Sequence, residues 1–345
     1  MTSPAFHALA LRTTCIAVNS AADSRAVMAA SIARIGRQIE AAKRFIGADL
    51  ELVVLPEYVL TGFPMGESAA QWADKAAIAS GGAEYAALGR IAANAAVFLA
   101  GNAYETCEHF PGLYFQTSFI IDPAGAVILR YRRLISLFAP SPYDLFERYR
   151  AVYGDAALFP VAETRIGRLA AIASEEILYP EIARALALRG AEIFVHSSSE
   201  VASALPTPKN IAKQARAIEN LAYVVSANTA GIDGIAIPRA STDGNSQIVD
   251  PRGLILTQAA LGESMAASAE LDLSMLRRLR RRPGMANTLS RLPLELWRRA
   301  LDVPVIQPPD TLMDADGMLK APTPAFYAER QRRAIERLIE AKIIR

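Results

Sequence analysis

Cysteine, histidine and net charge are all scarce in this chain. Only Cys15 and Cys107 occur in 345 residues. That excludes a disulfide scaffold and a cysteine-rich zinc site, and it suits a reducing compartment. Lysine and arginine total 37 against 35 aspartates and glutamates, a formal charge of +2. A dedicated nucleic-acid binder would carry a strongly basic face, which this balance does not supply. No apolar run reaches the roughly 20 residues that span a bilayer. The opening MTSPAFHALALRTT lacks the basic stretch and continuous apolar stretch of a secretory signal. What is present is a core: 52% of residues are hydrophobic and 21% charged, enough burial to offset ordering entropy. The expectation is a globular cytoplasmic protein with neither nucleic acid nor membrane as partner.

Strand and helix patterns alternate along most of the chain. Residues 13–18 (TTCIAV) form a short β-branched run, and 24–46 place Val27, Ile32, Ile35, Ile39 and Phe45 at helical spacing. Residues 50–55 (LELVVL) read as an apolar strand stopped by Pro56. Residues 83–95 are a helix followed by a strand at 96–100. Residues 114–121 and 126–131 flank the turn Asp122-Pro123-Ala124-Gly125 and pair as a hairpin. Strands at 167–173, 192–196 and 222–227 alternate with helices at 180–189 and 211–220. A second hairpin, 246–249 with 254–258, closes over Asp250-Pro251-Arg252-Gly253. Helical units mixed with hairpins predict a mixed sheet in a layered α/β domain. Near Leu273 the composition changes to a basic run (RRLRRRP), then proline-rich chain, then an amphipathic helix at 325–344.

Three segments carry chemistry. In LPEYVLTGFP, Glu57 lies just past a strand end, where α/β sheets place functional groups. In ILRYRRLISLF, alternation puts Arg130 and Arg132 on one face and Tyr131 and Arg133 on the other, so Arg133 is a candidate inward-pointing cation. A solvated basic edge strand is the plain alternative. In GRLAAIASEEILYPE, a strand delivers Ser174 to a turn that enters a helix, a geometry able to hold an oxyanion on backbone N–H groups. A serine there is also an ordinary turn residue.

Taken in this order, with the turns IDPAG and VDPRG and the stretch VVSANTAG, these segments resemble the nitrilase superfamily of carbon–nitrogen hydrolases, nearest its aliphatic-amidase and carbamoylase-like branches. The resemblance runs from about Thr13 to Leu273. It implies a four-layer α-β-β-α sandwich over residues 10–273, a C-terminal extension at 274–345 given to oligomer contacts, and homo-oligomers. It also implies a Glu–Lys–Cys catalytic set in which glutamate is the base, lysine holds the oxyanion and cysteine attacks. Carried across, the base falls on Glu57, the lysine position on Arg133 and the nucleophile on Ser174. A second glutamate falls on Glu147 in DLFERY, with Asp144 as its alternative.

Lysine and cysteine are therefore both replaced. Cys15 sits in a strand pattern, where it reads as a small buried hydrophobe. Cys107 precedes the hairpin, far along the chain from the nucleophile turn. His196 reads as a polar strand-end residue. Arg133 keeps the charge in a planar five-donor fork, whereas a serine hydroxyl needs an effective base within hydrogen-bond reach. Two expectations follow. One is amidase-like hydrolysis of a small amide or carbamoyl C–N bond through Ser174. The other is a pseudoenzyme that holds an amide-like or carboxylate ligand or serves as an assembly subunit. No metal or organic cofactor is indicated.

Overall fold

The computed structural model describes residues 5–314 and 316–345. Two mixed sheets stack face to face. The first runs in the order Ser268–Asp272, Ala5–Ala10, Leu50–Val54, Phe98–Thr106, Tyr114–Ile121, Val127–Arg132. The second runs Ile255–Ala259, Ser246–Val249, Tyr223–Asn228, Ile193–Ser198, Gly167–Ala173, Ala162–Thr164. Three central strands of each sheet are parallel, and the hairpins add antiparallel strands at the flanks.

Alternation along each strand builds the layers. Ala8, Ala10, Leu52, Val54 and Ala100 face Leu169, Ala171, Ala173, Val195 and Val225 of the other sheet. Their neighbours Leu9, Val53 and Leu99 face outward onto the helices Ser24–Ile46 and Ala83–Ala95. On the far side, Ala170, Ile172, Phe194 and Val224 pack under Pro180–Leu188 and Pro208–Asn220. The result is the expected α-β-β-α sandwich. The core between the sheets mixes alanines such as Ala8, Ala10, Ala100 and Ala171 with larger side chains such as Phe6, Leu52, Phe98, Ile120 and Tyr223.

Several elements differ from the sequence expectation. The β-branched run at 13–18 supplies only Cys15–Ile16, a two-residue strand paired with Ile232–Asp233. The strand that enters the first sheet is instead Ala5–Ala10, inserted between Ser268–Asp272 and Leu50–Val54. Its sequence, AFHALA, has low strand propensity, and burial between two partners overrides that. Helix Leu273–Arg281 also belongs to the core, since Leu273 and Leu276 are buried. Two pieces outside the expected 10–273 unit are thus integral to it. The basic run is partly a set of struts: Arg277 Nε donates to Glu192 at 2.7 Å, and Arg280 donates to the carbonyls of Ala191 at 2.6 Å and Leu221 at 2.9 Å.

The tail returns to its own chain. Helix Pro324–Glu340 carries Arg330, which pairs with Asp144 and donates to the Ser136 carbonyl at 2.6 Å. Thr311 Oγ1 donates to Asp144 at 2.9 Å, and Tyr143 Oη donates to the Gln307 carbonyl at 3.0 Å. Among the described residues no helix is long and apolar enough to cross a membrane.

Candidate active site

The parallel strands of both sheets end at one rim, and the sheets are stapled there. Ser197 Oγ donates to the Leu55 carbonyl at 2.8 Å, and the Glu57 amide donates to the Ser198 carbonyl at 3.2 Å. Glu57, one of the buried side chains at this rim, is 1% exposed. Its Oε2 accepts from the Ser199 amide at 2.9 Å and its Oε1 from Gln116 Nε2.

Arg133 lies opposite, 6% exposed. Its Nη1 is 3.7 Å from Glu57 Oε1 and donates to Gln116 Oε1 at 2.7 Å. Its Nε donates to the Ile135 carbonyl at 2.6 Å, and its Nη2 pairs with Glu175. Burial works against this guanidinium's charge, but Tyr58, Glu57, Glu175 and Glu176 outweigh it and hold its pKa above the ordinary arginine value. Burial, then Glu57, pushes the neighbouring Tyr58 phenol well up, so it stays protonated. Arg130 and Arg132 point the other way, both pairing with the fully buried Glu105. The alternation along this strand therefore separates a structural pair of arginines from the one at the rim.

Ser174 follows strand Gly167–Ala173 and opens the 3-10 turn Ser174–Leu178. Its φ is +46°, in the left-handed region, which costs a non-glycine residue about 1–2 kcal/mol. Two hydrogen-bonding contacts hold it there. His196 Nε2 bonds the Ser174 carbonyl at 2.8 Å, and its Nδ1 meets Ser226 Oγ at 2.8 Å. Burial, then Lys213, pushes His196 well below its usual pKa, so the ring is neutral. A neutral ring facing a carbonyl through Nε2 carries its proton there and accepts from the serine at Nδ1. His196 thus positions the Ser174 backbone and is not at its hydroxyl. Glu176, fully buried, accepts from Tyr131 Oη at 2.7 Å and from the amides of Leu134 and Ile135 at 2.7 and 3.0 Å. Burial raises its pKa against the pull of Arg133 and these donors. The second contact to Ser174 is at the hydroxyl itself: Lys209 Nζ lies 3.2 Å from Ser174 Oγ.

Lys209 and Lys213 stand one turn apart on helix Pro208–Asn220, which Thr207 caps. Lys213 is fully buried and donates to Glu200 at 3.3 Å, Asn210 at 3.1 Å and the Asn245 carbonyl at 3.1 Å. Burial, opposed by Glu200, lowers its pKa to about 8. A lysine whose folded pKa lies below its unfolded value near 10.4 makes the unfolded chain the better proton binder between them. The Lys213 contribution to stability therefore becomes more favourable as pH rises from 8 towards 10.4. Urea unfolding of wild type and Lys213→Met across this range checks it. The upward slope assigned to Lys213 is expected to vanish in the variant, and equal slopes would refute it.

The structure brings Glu57, Arg133 and Ser174 to one rim, with Gln116, Glu175 and Lys209 between and around them. It does not bring Glu147 there. That carboxylate is on the outer face of helix Phe146–Tyr153, its side chain 72% exposed and paired with Arg150. Asp144, the alternative, is buried but committed to Ser141, Thr311 and Arg330 of the tail. Both cysteines are distant from Ser174 in their bonding. Cys15 Sγ donates to the Tyr58 carbonyl at 3.0 Å, and burial pushes its thiol up to about 12; Cys107 Sγ meets Tyr153 Oη at 2.9 Å. A cavity of about 580 Å³ adjoins the rim through Glu175, with Leu134, Ile135, Tyr143, Phe159 and Tyr179 among its walls. Gln116 and Lys209 escaped the sequence reading. A polar residue inside a run as apolar as YFQTSFII was the available signal for Gln116, whereas a lysine opening an amphipathic helix looks like any solvated one.

The family model described as carbon–nitrogen hydrolase matches residues 16–281. The chain belongs to the carbon–nitrogen hydrolase family, within the nitrilase superfamily. It is 26% identical over 234 residues to a protein of Schizosaccharomyces pombe called a probable nitrilase, covering 67% of this chain and 78% of that one. It is 30% identical over 169 residues to the deaminated glutathione amidase of Homo sapiens, covering 48% and 50%. It is 29% identical over 190 residues to the formamidase of Bacillus thuringiensis, covering 54% and 52%. The carbon–nitrogen hydrolase chain thus matches about half the length of the human and Bacillus relatives. In fold it is similar to Saccharomyces cerevisiae Nit3, with a TM-score of 0.65 at 20% identity over 86% of this chain and 98% of that one. A variant of the amidase from Nesterenkonia sp. AN1, bearing a covalent adduct at its active-site cysteine, superposes with a TM-score of 0.58 at 20% identity, covering 87% and 98%.

Proposed function

We propose that this carbon–nitrogen hydrolase acts as an amidase-like acyl-transfer enzyme whose nucleophile is Ser174. The observation that carries the reading is the conformation of that residue: a serine held at φ +46° on a strand-to-helix turn, with an amine 3.2 Å from its hydroxyl. Backbone strain of this kind persists only where the surroundings impose it, and it clusters at active sites. The substrate would be a small amide, carbamoyl compound or activated ester. Attack by Oγ forms the acyl-serine and expels the amine or alcohol, and water then releases the acid. Arg133, Glu57 and Gln116 would form the polar wall of the site, with the apolar cavity beside Glu175 able to take an acyl chain.

A second reading has its own support. Arg133 already meets Gln116, Glu175, Glu57 and the Ile135 carbonyl, so the cation that would meet an oxyanion is largely satisfied within the protein. That pattern suits a pseudoenzyme that binds an amide-like or carboxylate ligand, or an assembly subunit. Self-association would use the tail, where Leu296, Trp297, Leu301, Val303 and Val305 are exposed.

Intact-mass spectrometry after incubation with short amides, N-carbamoyl compounds and activated esters separates the two. An acyl-mass adduct that maps to Ser174 and disappears in Ser174→Ala is the expected result. Hydrolysis undiminished in Ser174→Ala would overturn it, and saturable calorimetric binding of acetamide or acetate without any adduct would favour the pseudoenzyme.

A further inference from the structure

The catalytic proposal leaves the proton of the Ser174 hydroxyl without an assigned acceptor. Glu57 is the residue that the family resemblance casts as base, but its two oxygens are taken by Gln116 and the Ser199 amide, with Arg133 3.7 Å away. Among the described residues no hydrogen bond joins Glu57 to Ser174. His196 is equally excluded, because its Nε2 proton is directed at the Ser174 carbonyl and its other nitrogen at Ser226. The group at the hydroxyl is Lys209.

We propose that Lys209 is the general base of this site, forming with Ser174 a serine–lysine pair that replaces a thiol-based nucleophile. This rests on the reading of Ser174 as nucleophile and names the residue that activates it.

The helix geometry supports a division of labour between the two lysines. Lys213 has three acceptors, the Glu200 carboxylate among them, and is built into the wall. Lys209, one turn earlier and only partly buried, reaches Ser174 across 35 residues of sequence. Lys213 stands one turn from Lys209, and both lysines act on the neutral His196 of the strand Ile193–Ser198. Glu200 is engaged by Lys213 and Thr207.

The step balances as follows. The unprotonated Lys209 amine takes the Oγ proton as Oγ bonds to the carbonyl carbon, and the carbonyl π pair moves to oxygen. When that pair returns, the bond to the leaving group breaks and the Lys209 ammonium passes its proton to the departing amine. Water then attacks the acyl-serine with the amine again taking a proton, and as the carbonyl re-forms the C–Oγ bond breaks, the acid departs and the ammonium returns that proton to Oγ. No oxidant, metal or second cofactor is consumed.

The test uses the full chain with p-nitrophenyl acetate as probe, reading nitrophenolate release and the acetyl adduct on Ser174 by intact mass and peptide mapping. Wild type is expected to form the acetyl adduct on Ser174. Lys209→Met is expected to lose at least about 10²-fold in acylation rate, the usual scale for a general base. Lys209→Arg supplies a permanent cation that cannot accept the Oγ proton, so it is expected to be as impaired as Lys209→Met. Circular dichroism and the urea midpoint confirm that both variants fold. Full activity in Lys209→Arg would overturn the proposal in favour of a purely electrostatic role. An adduct on Ser174 formed at an unchanged rate in Lys209→Met would overturn it while leaving Ser174 as nucleophile. If wild type forms no adduct at any pH, the reading of Ser174 fails and this one with it.

Discussion

Ser174→Ala is expected to lower kcat toward a small amide or activated ester on the order of 10³-fold or more, the scale seen when a nucleophile is removed from an acyl-transfer site. The same position offers a second readout that does not depend on turnover. At φ +46° any side chain with a Cβ is strained by about 1–2 kcal/mol, and glycine is not, although glycine loses somewhat more backbone entropy on folding. Ser174→Gly is therefore expected to be about 1 kcal/mol more stable than Ser174→Ala and equally inactive. Urea denaturation of the two variants measures the difference directly. A glycine variant no more stable than the alanine variant would mean that the backbone at 174 is not held left-handed, and the argument from strain would fall. A glycine variant more stable than the alanine variant and equally inactive would mark a residue whose strained backbone is kept for chemistry.

Glu57→Ala is expected to destabilise the protein by about 3–5 kcal/mol, the range for removing one partner of a buried ion pair. For a chain of 345 residues this corresponds to a fall in Tm of about 4–7 °C. The cost has two sources. Arg133 loses one of the carboxylates around its guanidinium, and Gln116 Nε2 and the Ser199 amide lose the acceptor they share in the buried Glu57. Glu57→Gln keeps the volume and one acceptor oxygen and is expected to cost about half as much. The double variant Glu57→Leu with Arg133→Met is expected to be more stable than the sum of the single losses, with a coupling of about 1–3 kcal/mol. Thermal unfolding of the four proteins closes the cycle. Strict additivity would show that the two groups do not sense each other, and the polar wall drawn from their geometry would have to be abandoned.

Much of the fold was legible in local pattern. Compact apolar runs, LELVVL and the stretch around Ala171, announced strands, and Asp122 and Asp250 announced turns. Asp122 Oδ1 accepts from the amides of Ala124 and Ala126 at 3.0 and 2.9 Å, and Asp250 Oδ1 does the same for Arg252 and Leu254 at 2.8 and 3.0 Å. The strand Ala5–Ala10 was not legible, because alanine and histidine in alternation with leucine carry no strand propensity until two neighbours enclose them. Glu147 illustrates the reverse error. Its motif suggested the site, but the helix it begins turns that carboxylate outward, and Asp144 three residues earlier is drawn inward and held by the tail. Asp144 belongs to the 3-10 turn Pro142–Leu145 and Glu147 to the helix Phe146–Tyr153 that follows, so the break between the two elements, which no local signal fixes, decides which carboxylate points inward.

The layered α/β class, the strand-end positions of Glu57, Arg133 and Ser174, and the lack of a cysteine at the nucleophile turn are properties of sequence alone. They follow from alternation, turn chemistry and composition, each written within a few neighbouring residues. Which of those groups act together was decided only by tertiary structure. Gln116 reaches Glu57 across 59 residues, the Ser199 amide reaches it across 142, and Lys209 reaches Ser174 across 35. Such meetings depend on sheet register, on helix rotation and on how closely the two packed sheets approach. Those quantities are set by packing the whole core at once, so the hydroxyl's partner became visible only when the layers closed around it.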